Sequence, residues 1–162
     1  MACSGGLTVV ALGEREMVMT RVFSAPRQLV FDALTQPHLV QRWLLGPPGW
    51  SMPVCEIDLK VGGRYRYVWR RDSVPDDMGM GGVYREIAPP AGYVCTEVFD
   101  VSWYPGEALV TAVLAEQGGS TTLTTTIRYE SEAARDGVLK FGIERGIAAS
   151  YDRLDQMLGE AK

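Results

Sequence analysis

The end of the chain constrains the fold most. From Arg135 to Leu158 the apolar side chains Leu139, Ile143, Ile147, Tyr151, Leu154 and Leu158 recur at intervals of four, four, four, three and four residues. Lys140, Glu144, Asp152 and Asp155 fall off that stripe. The period is helical, and it predicts one long helix with a single buried side. Most of what precedes it alternates as strands do. The surface that covers the stripe is therefore expected to be a sheet.

The strands are legible in turn. "REMVMTRVF" (15–23) is β-branched and roughly alternating. "SAPRQLVFDALT" follows as a short amphipathic helix, with Ser24 as the expected cap and Pro26 in its first turn. "QPHLVQRWL" repeats the device, with Leu39, Val40, Trp43 and Leu44 on one face. "GPPGW" is a rigid loop. "SMPVCEIDL" and "RYRYVWRR" flank the "KVGG" turn, where Gly62 and Gly63 are expected to supply positive φ angles. "DSVPDDMGMG" reads as a polar loop, "GVYREI" and "YVCTEVFDVSW" as strands, and "ALVTAVLAE" with "TTLTTTIRYE" as a hairpin around "QGGS". Leu123, Thr125, Ile127 and Tyr129 share one face of its second strand.

The expected fold is α+β: a curved antiparallel sheet of about seven strands, two short helices after the first strand, and a long C-terminal helix across the sheet. Residues 15–162 form one domain in this reading. Residues 1–14 are a leader that at most joins the first strand, with neither the basic region nor the apolar length of a signal peptide.

Composition excludes several functions. The chain has 162 residues and a net charge of −4, which disfavours a phosphate backbone as partner. No apolar run approaches the roughly 20 residues of a membrane helix. Cys3, Cys55 and Cys95 are odd in number and far apart, so they suit neither a disulfide framework nor a zinc site. They point to structural thiols and a cytoplasmic setting. His38 is the one histidine, in a polar turn without a partner pattern. No phosphate loop or nucleophile elbow occurs, and no cofactor or metal is expected.

The strand after Gly63 carries the functional question. Strand geometry puts Tyr65, Tyr67 and Trp69 on one face and Arg64, Arg66, Val68 and Arg70 on the other. "GGRYRYVW" superficially mimics an RNA-recognition strand. That module needs its aromatics open to solvent, and here the terminal helix needs the same face. The aromatics are therefore read as core packing or as one wall of a ligand pocket, where Tyr67 offers a hydroxyl and Trp69 an N–H. Trp43, Trp50 and Trp103 belong near loop mouths, with Tyr84 and Phe99 as further pocket candidates. Gly142 and Gly146 are four apart and are expected to share a helix face, giving either close packing or cavity space. Glu97 shares its strand face with Cys95 and Phe99, and a buried carboxylate there is the one candidate base. The plainer reading of Glu97 is a paired or edge-exposed residue.

"TRVFSAPRQLVFDALTQPHLVQRW", "DLKVGGRYRYVWR", "GGVYREIAPP" and "GGSTTLTTT" together resemble signatures of bacterial START-like proteins. These form the SRPBCC superfamily, with its helix-grip, Bet v 1-like fold. The match within it is to the group that resembles the C-terminal domain of the activator of the heat-shock protein 90 ATPase. The resemblance spans about residues 15–160 and implies a cavity beneath the last helix. Relatives often carry Gly-Trp in that helix, where this chain has Gly146-Ile147. With Tyr151, these residues complete the expected cavity set.

Three functions follow as expectations. The first is binding of a small hydrophobic molecule between sheet and helix. The second is a stress- or chaperone-linked protein-interaction module. The third is an enzyme acting on a hydrophobic substrate. An exposed edge strand also offers a route to a homodimer.

Overall fold

Alternating side chains build one antiparallel sheet, and the helical stripe is laid against its inner face. A computed structural model describes residues 2–4, 6–101 and 104–160. The strands are β1 (Ala2–Ser4), β2 (Leu7–Leu12), β3 (Glu16–Phe23), β4 (Trp50–Ile57), β5 (Arg64–Arg71), β6 (Met78–Ala88), β7 (Gly92–Phe99), β8 (Ala108–Gln117) and β9 (Ser120–Arg128). The helices are α1 (Arg27–Thr35), α2 (Pro37–Trp43), α3 (Glu132–Lys140) and α4 (Glu144–Glu160). The strand order is β1-β2-β3-β9-β8-β7-β6-β5-β4. The chain leaves β3 near one side of the sheet, and α1 and α2 carry it across to the far edge at β4.

The seven expected strands are β3 to β9. The leader adds two more. β2 pairs along β3, with Val10 opposite Val18, and β1 pairs with β2. The expected polar loop also ends early, because Met78–Ala88 is one continuous strand.

Two expected devices are replaced by others. Ser24 does not cap α1; the flanking residue is Pro26, without a side-chain cap. The carboxylate of Glu116 on β8 instead accepts from Arg27 N at 2.7 Å. In the β4–β5 turn only Gly62 has a positive φ, at 84°. Gly63 is needed for close approach, because a Cβ there would lie 2.0 Å from the Asp58 carbonyl oxygen.

The terminal helix is broken. Gly142 has φ +68°, and α3 stops at Lys140 before α4 starts at Glu144. Gly142 is therefore a left-handed hinge between two helices and shares no helix face with Gly146. Leu139, Ile143 and Ile147 nonetheless pack against the same buried cluster from both sides of the break.

Buried arginines fix both helices to the sheet. Arg135 on α3 donates to the carbonyls of Leu12, Gly13 and Glu16, so it closes the β2–β3 turn while pairing with Asp136. Arg21, on the inner face of β3, pairs with Asp152 of α4 at 2.9 Å. The core divides into two clusters. One lies under α1, α3 and α4 and includes Phe23, Leu123 and Leu154. The other lies on the inner face of β4 to β7, where Tyr65, Tyr67, Trp69 and Tyr84 pack with Val40 of α2.

The helix break separates two glycines by sign. Gly137 lies inside α3 with open space around its Cβ position, so Gly137→Ala is expected to raise stability by about 0.5–1 kcal/mol. Gly142→Ala is expected to lower it by about 1–2 kcal/mol through its left-handed φ. Urea unfolding midpoints of the two variants test this; equal shifts of the same sign would contradict the break.

Candidate functional site

The alternation along β5 orients the aromatics inward. Tyr65, Tyr67 and Trp69 are buried, and Arg64, Arg66 and Arg70 are exposed. Two of the outer arginines are tied to carboxylates: Arg66 is bidentate to Asp100 and Arg70 to Asp77. The inward aromatics, with α2, α4 and the inner faces of β7, β8 and β9, enclose a cavity of about 540 Å³. That size is within the range of small-molecule sites.

The walls are mainly apolar. Met19, Leu34, Val40, Met80, Val110, Leu123, Ile127 and Val138 line the cavity with Trp43, Tyr67, Trp69, Tyr93, Phe99, Tyr129 and Tyr151. Leu45, Pro47, Trp50, Met78, Ile143 and Ile147 also line it and keep solvent exposure, so they form the rim. The rim loop is clamped. Gly46 N donates to Ser150 Oγ at 2.8 Å, and Arg153 donates to Gly46 O at 2.7 Å. Trp69 Nε1 donates to Leu44 O at 2.7 Å. The opening thus lies between a pinned loop and the α3–α4 hinge, where Gly142 and Gly146 also line the cavity.

The expected site residues separate under this geometry. Trp43, Trp50, Tyr67, Trp69, Phe99, Gly146, Ile147 and Tyr151 all line the cavity. Tyr65 and Tyr84 lie beside it: the Tyr65 hydroxyl donates to Thr96 O, and its ring packs on Tyr67 and Tyr84. Trp103 lies outside the described residues. Trp69 has no N–H to offer a ligand, because Leu44 O accepts it. Trp43 Nε1 is likewise held by Ala33 O at 2.8 Å. Tyr93, Val110 and Tyr129 are cavity residues that the sequence reading missed. Two-residue alternation from Glu97 back along β7 would have reached Tyr93.

Among the described residues Glu97 is the one carboxylate in the wall, and no lysine, arginine or histidine lines it. Its Oε2 accepts from Tyr104 Oη at 2.8 Å. Tyr104 packs edge-on against Phe99 and Tyr129, which fixes its ring. Burial pushes the Glu97 carboxyl above its ordinary value, opposed by the hydrogen bond from Tyr104. Glu97 is half-buried and lines the cavity.

The thiols of Cys55 and Cys95 are not poised to react. Burial pushes Cys95 up to about 12 and Cys55 to about 11, so both are neutral at pH 7. His38 is exposed. Among the described residues no group of histidine, cysteine and carboxylate side chains is arranged to hold a metal ion.

Comparison with known proteins assigns the family. Residues 24–159 match the family model described as Activator of Hsp90 ATPase homolog 1-like protein. The chain belongs to this family. Its fold is the helix-grip fold of Bet v 1-like proteins. A crystal structure of a Rhodobacter sphaeroides protein is 28% identical, covers 95% of this chain and 99% of its own, and has a TM-score of 0.88. A Chromobacterium violaceum protein is 25% identical over 89% of this chain and 96% of its own, with a TM-score of 0.77. An HSP90 activator from Plasmodium falciparum shares the fold at 20% identity, over 90% of this chain and 96% of its own, with a TM-score of 0.65. Among curated proteins, none matches. No helix among the described residues is long and apolar enough to cross a membrane.

The Glu97 shift has a sign that can be measured. The native carboxyl binds its proton more tightly than the unfolded one. The associated stability is full below the ordinary carboxylate pKa and is lost as pH rises through the native pKa. Glu97→Gln removes that loss. Urea midpoints of the two proteins are expected to diverge in favour of the variant as pH rises from the carboxylate range; parallel profiles would contradict a desolvated carboxyl.

Proposed function

We propose that the protein binds a small hydrophobic molecule in the cavity between the sheet and α4. One observation carries this reading: a cavity of about 540 Å³ with aromatic and aliphatic walls and an open rim. Apolar walls of that extent are costly to leave facing water. A ligand that fills the cavity covers those walls. The family takes its name from an Hsp90 ATPase activator homologue, which supports a second reading as a chaperone-linked interaction module. That reading requires the chain to raise the ATPase rate of an Hsp90-type chaperone, and the ligand reading does not.

Ile147 supplies the direct test. It lies on the rim, and its side chain is smaller than that of tryptophan. Ile147→Trp fills part of the cavity from the helix side. The uncharged fluorescent probe N-phenyl-1-naphthylamine is expected to bind the native chain and to lose about tenfold in affinity in the variant, with the unfolding midpoint preserved. Equal binding by both, or no binding by the native chain, would remove the cavity as the site.

A further inference from the structure

We infer that the cavity selects a hydrophobic amine, with Glu97 as the counter-ion of its ammonium group. This rests on the ligand-binding reading above and gives that ligand a chemistry. A mainly apolar cavity does not need a carboxylate to be filled, and a buried unpaired carboxylate is costly. Among the described residues Glu97 is nonetheless the one charged-type side chain in the wall. Among the described residues no lysine or arginine pairs with it; its recorded partner is the Tyr104 hydroxyl.

The geometry assigns the two carboxyl oxygens different tasks. Tyr104 donates to Oε2, and its ring is wedged between Phe99 and Tyr129, so the carboxyl is held from one side. The second oxygen is left for a donor arriving through the cavity. Burial favours the protonated acid, and the Tyr104 hydrogen bond opposes it by donating to the ionised form. An ammonium group stabilises the ionised form from the other side.

The surroundings favour a cation again. Tyr93 and Phe99 share the inward face of β7 with Glu97, four residues before it and two after. Aromatic faces attract a desolvated cation, and Tyr67 and Trp69 extend that surface across the sheet. The apolar walls then take the body of the molecule. The match is a compact monocationic amine with an aromatic or branched aliphatic body. A fatty acid would set a second carboxylate against Glu97, and like charges in a desolvated site repel.

The test compares four probes of one shape on the full chain, followed by calorimetry or tryptophan fluorescence: 2-naphthylmethylamine, 2-naphthylmethanol, 2-methylnaphthalene and 2-naphthoate. The amine is expected to bind about tenfold or more tightly than methylnaphthalene, and naphthoate most weakly. In Glu97→Gln the amine is expected to fall to the level of methylnaphthalene, whose own affinity stays unchanged. The native protein gives a second readout that needs no variant. Acidification through the Glu97 titration should erase the preference for the amine and leave methylnaphthalene binding alone. Equal affinities, a preference for the alcohol or the acid, or an amine preference that survives in Glu97→Gln would overturn the proposal while leaving the cavity intact. Failure of methylnaphthalene itself to bind would overturn the cavity reading and this proposal with it.

Discussion

The sheet is wider than the helix that must cover it. Nine strands at about 4.8 Å spacing span roughly 38–43 Å, whereas a helix with its side chains is about 10–12 Å across. A flat sheet would leave most of its inner face in water. The sheet can bury that face only by curling around α4, with α1 and α2 closing part of the remainder. Curling cannot bring every strand into contact with one helix. α4 meets β1 and β2 on one side and α1 and α2 above, while the β4–β7 half is covered mainly by its own aromatics. The cavity is the difference between what the sheet exposes and what the helices fill.

Polar contacts keep that space from closing. Trp69 holds Leu44, while Ser150 and Arg153 hold Gly46, so the rim loop is fixed to a strand and to a helix at once. Each is a single hydrogen bond worth about 1 kcal/mol, more for the charged Arg153. Together they fix the loop at the rim of the opening. Arg21 and Arg135 do the same for the helices, one through Asp152 and one through three carbonyls of the β2–β3 region. The apolar stripe supplies the adhesion of α4, and these contacts set its position over the sheet.

Local pattern made the architecture legible and left the site partly hidden. Alternation in Arg64–Arg71 assigned both faces of β5, and helical spacing found the buried side of the terminal segment. The break at Gly142 escaped because the apolar interval of four runs through it unchanged. β6 was read too short because "MGMGG" has the composition of a loop. Its glycines answer a contact across the sheet: a Cβ at Gly82 would lie 1.9 Å from Thr96 O. Leu7–Leu12 is a short β-branched run whose pairing with β3 depends on residues outside its own window. The loss of Trp69 as a ligand donor could not be foreseen either, since its acceptor is a backbone carbonyl 25 residues away. Among the described residues, the candidates chosen for aromaticity met at one cavity apart from Tyr65 and Tyr84, which face each other at its margin. Residues without a chemical signal, such as Val110 and Val138, became visible only when the sheet had curled.

Methyl NMR during titration with 2-methylnaphthalene tests the central claim most directly. Binding within the curl requires shifts at Val110, Leu123, Ile127, Val138, Ile143 and Ile147, which line the cavity from sheet and helix alike. It also requires still signals from Val22 and Val113, which are exposed on the outer face of the sheet. Shifts confined to the outer face, or none at saturating probe, would contradict a ligand site between sheet and helix.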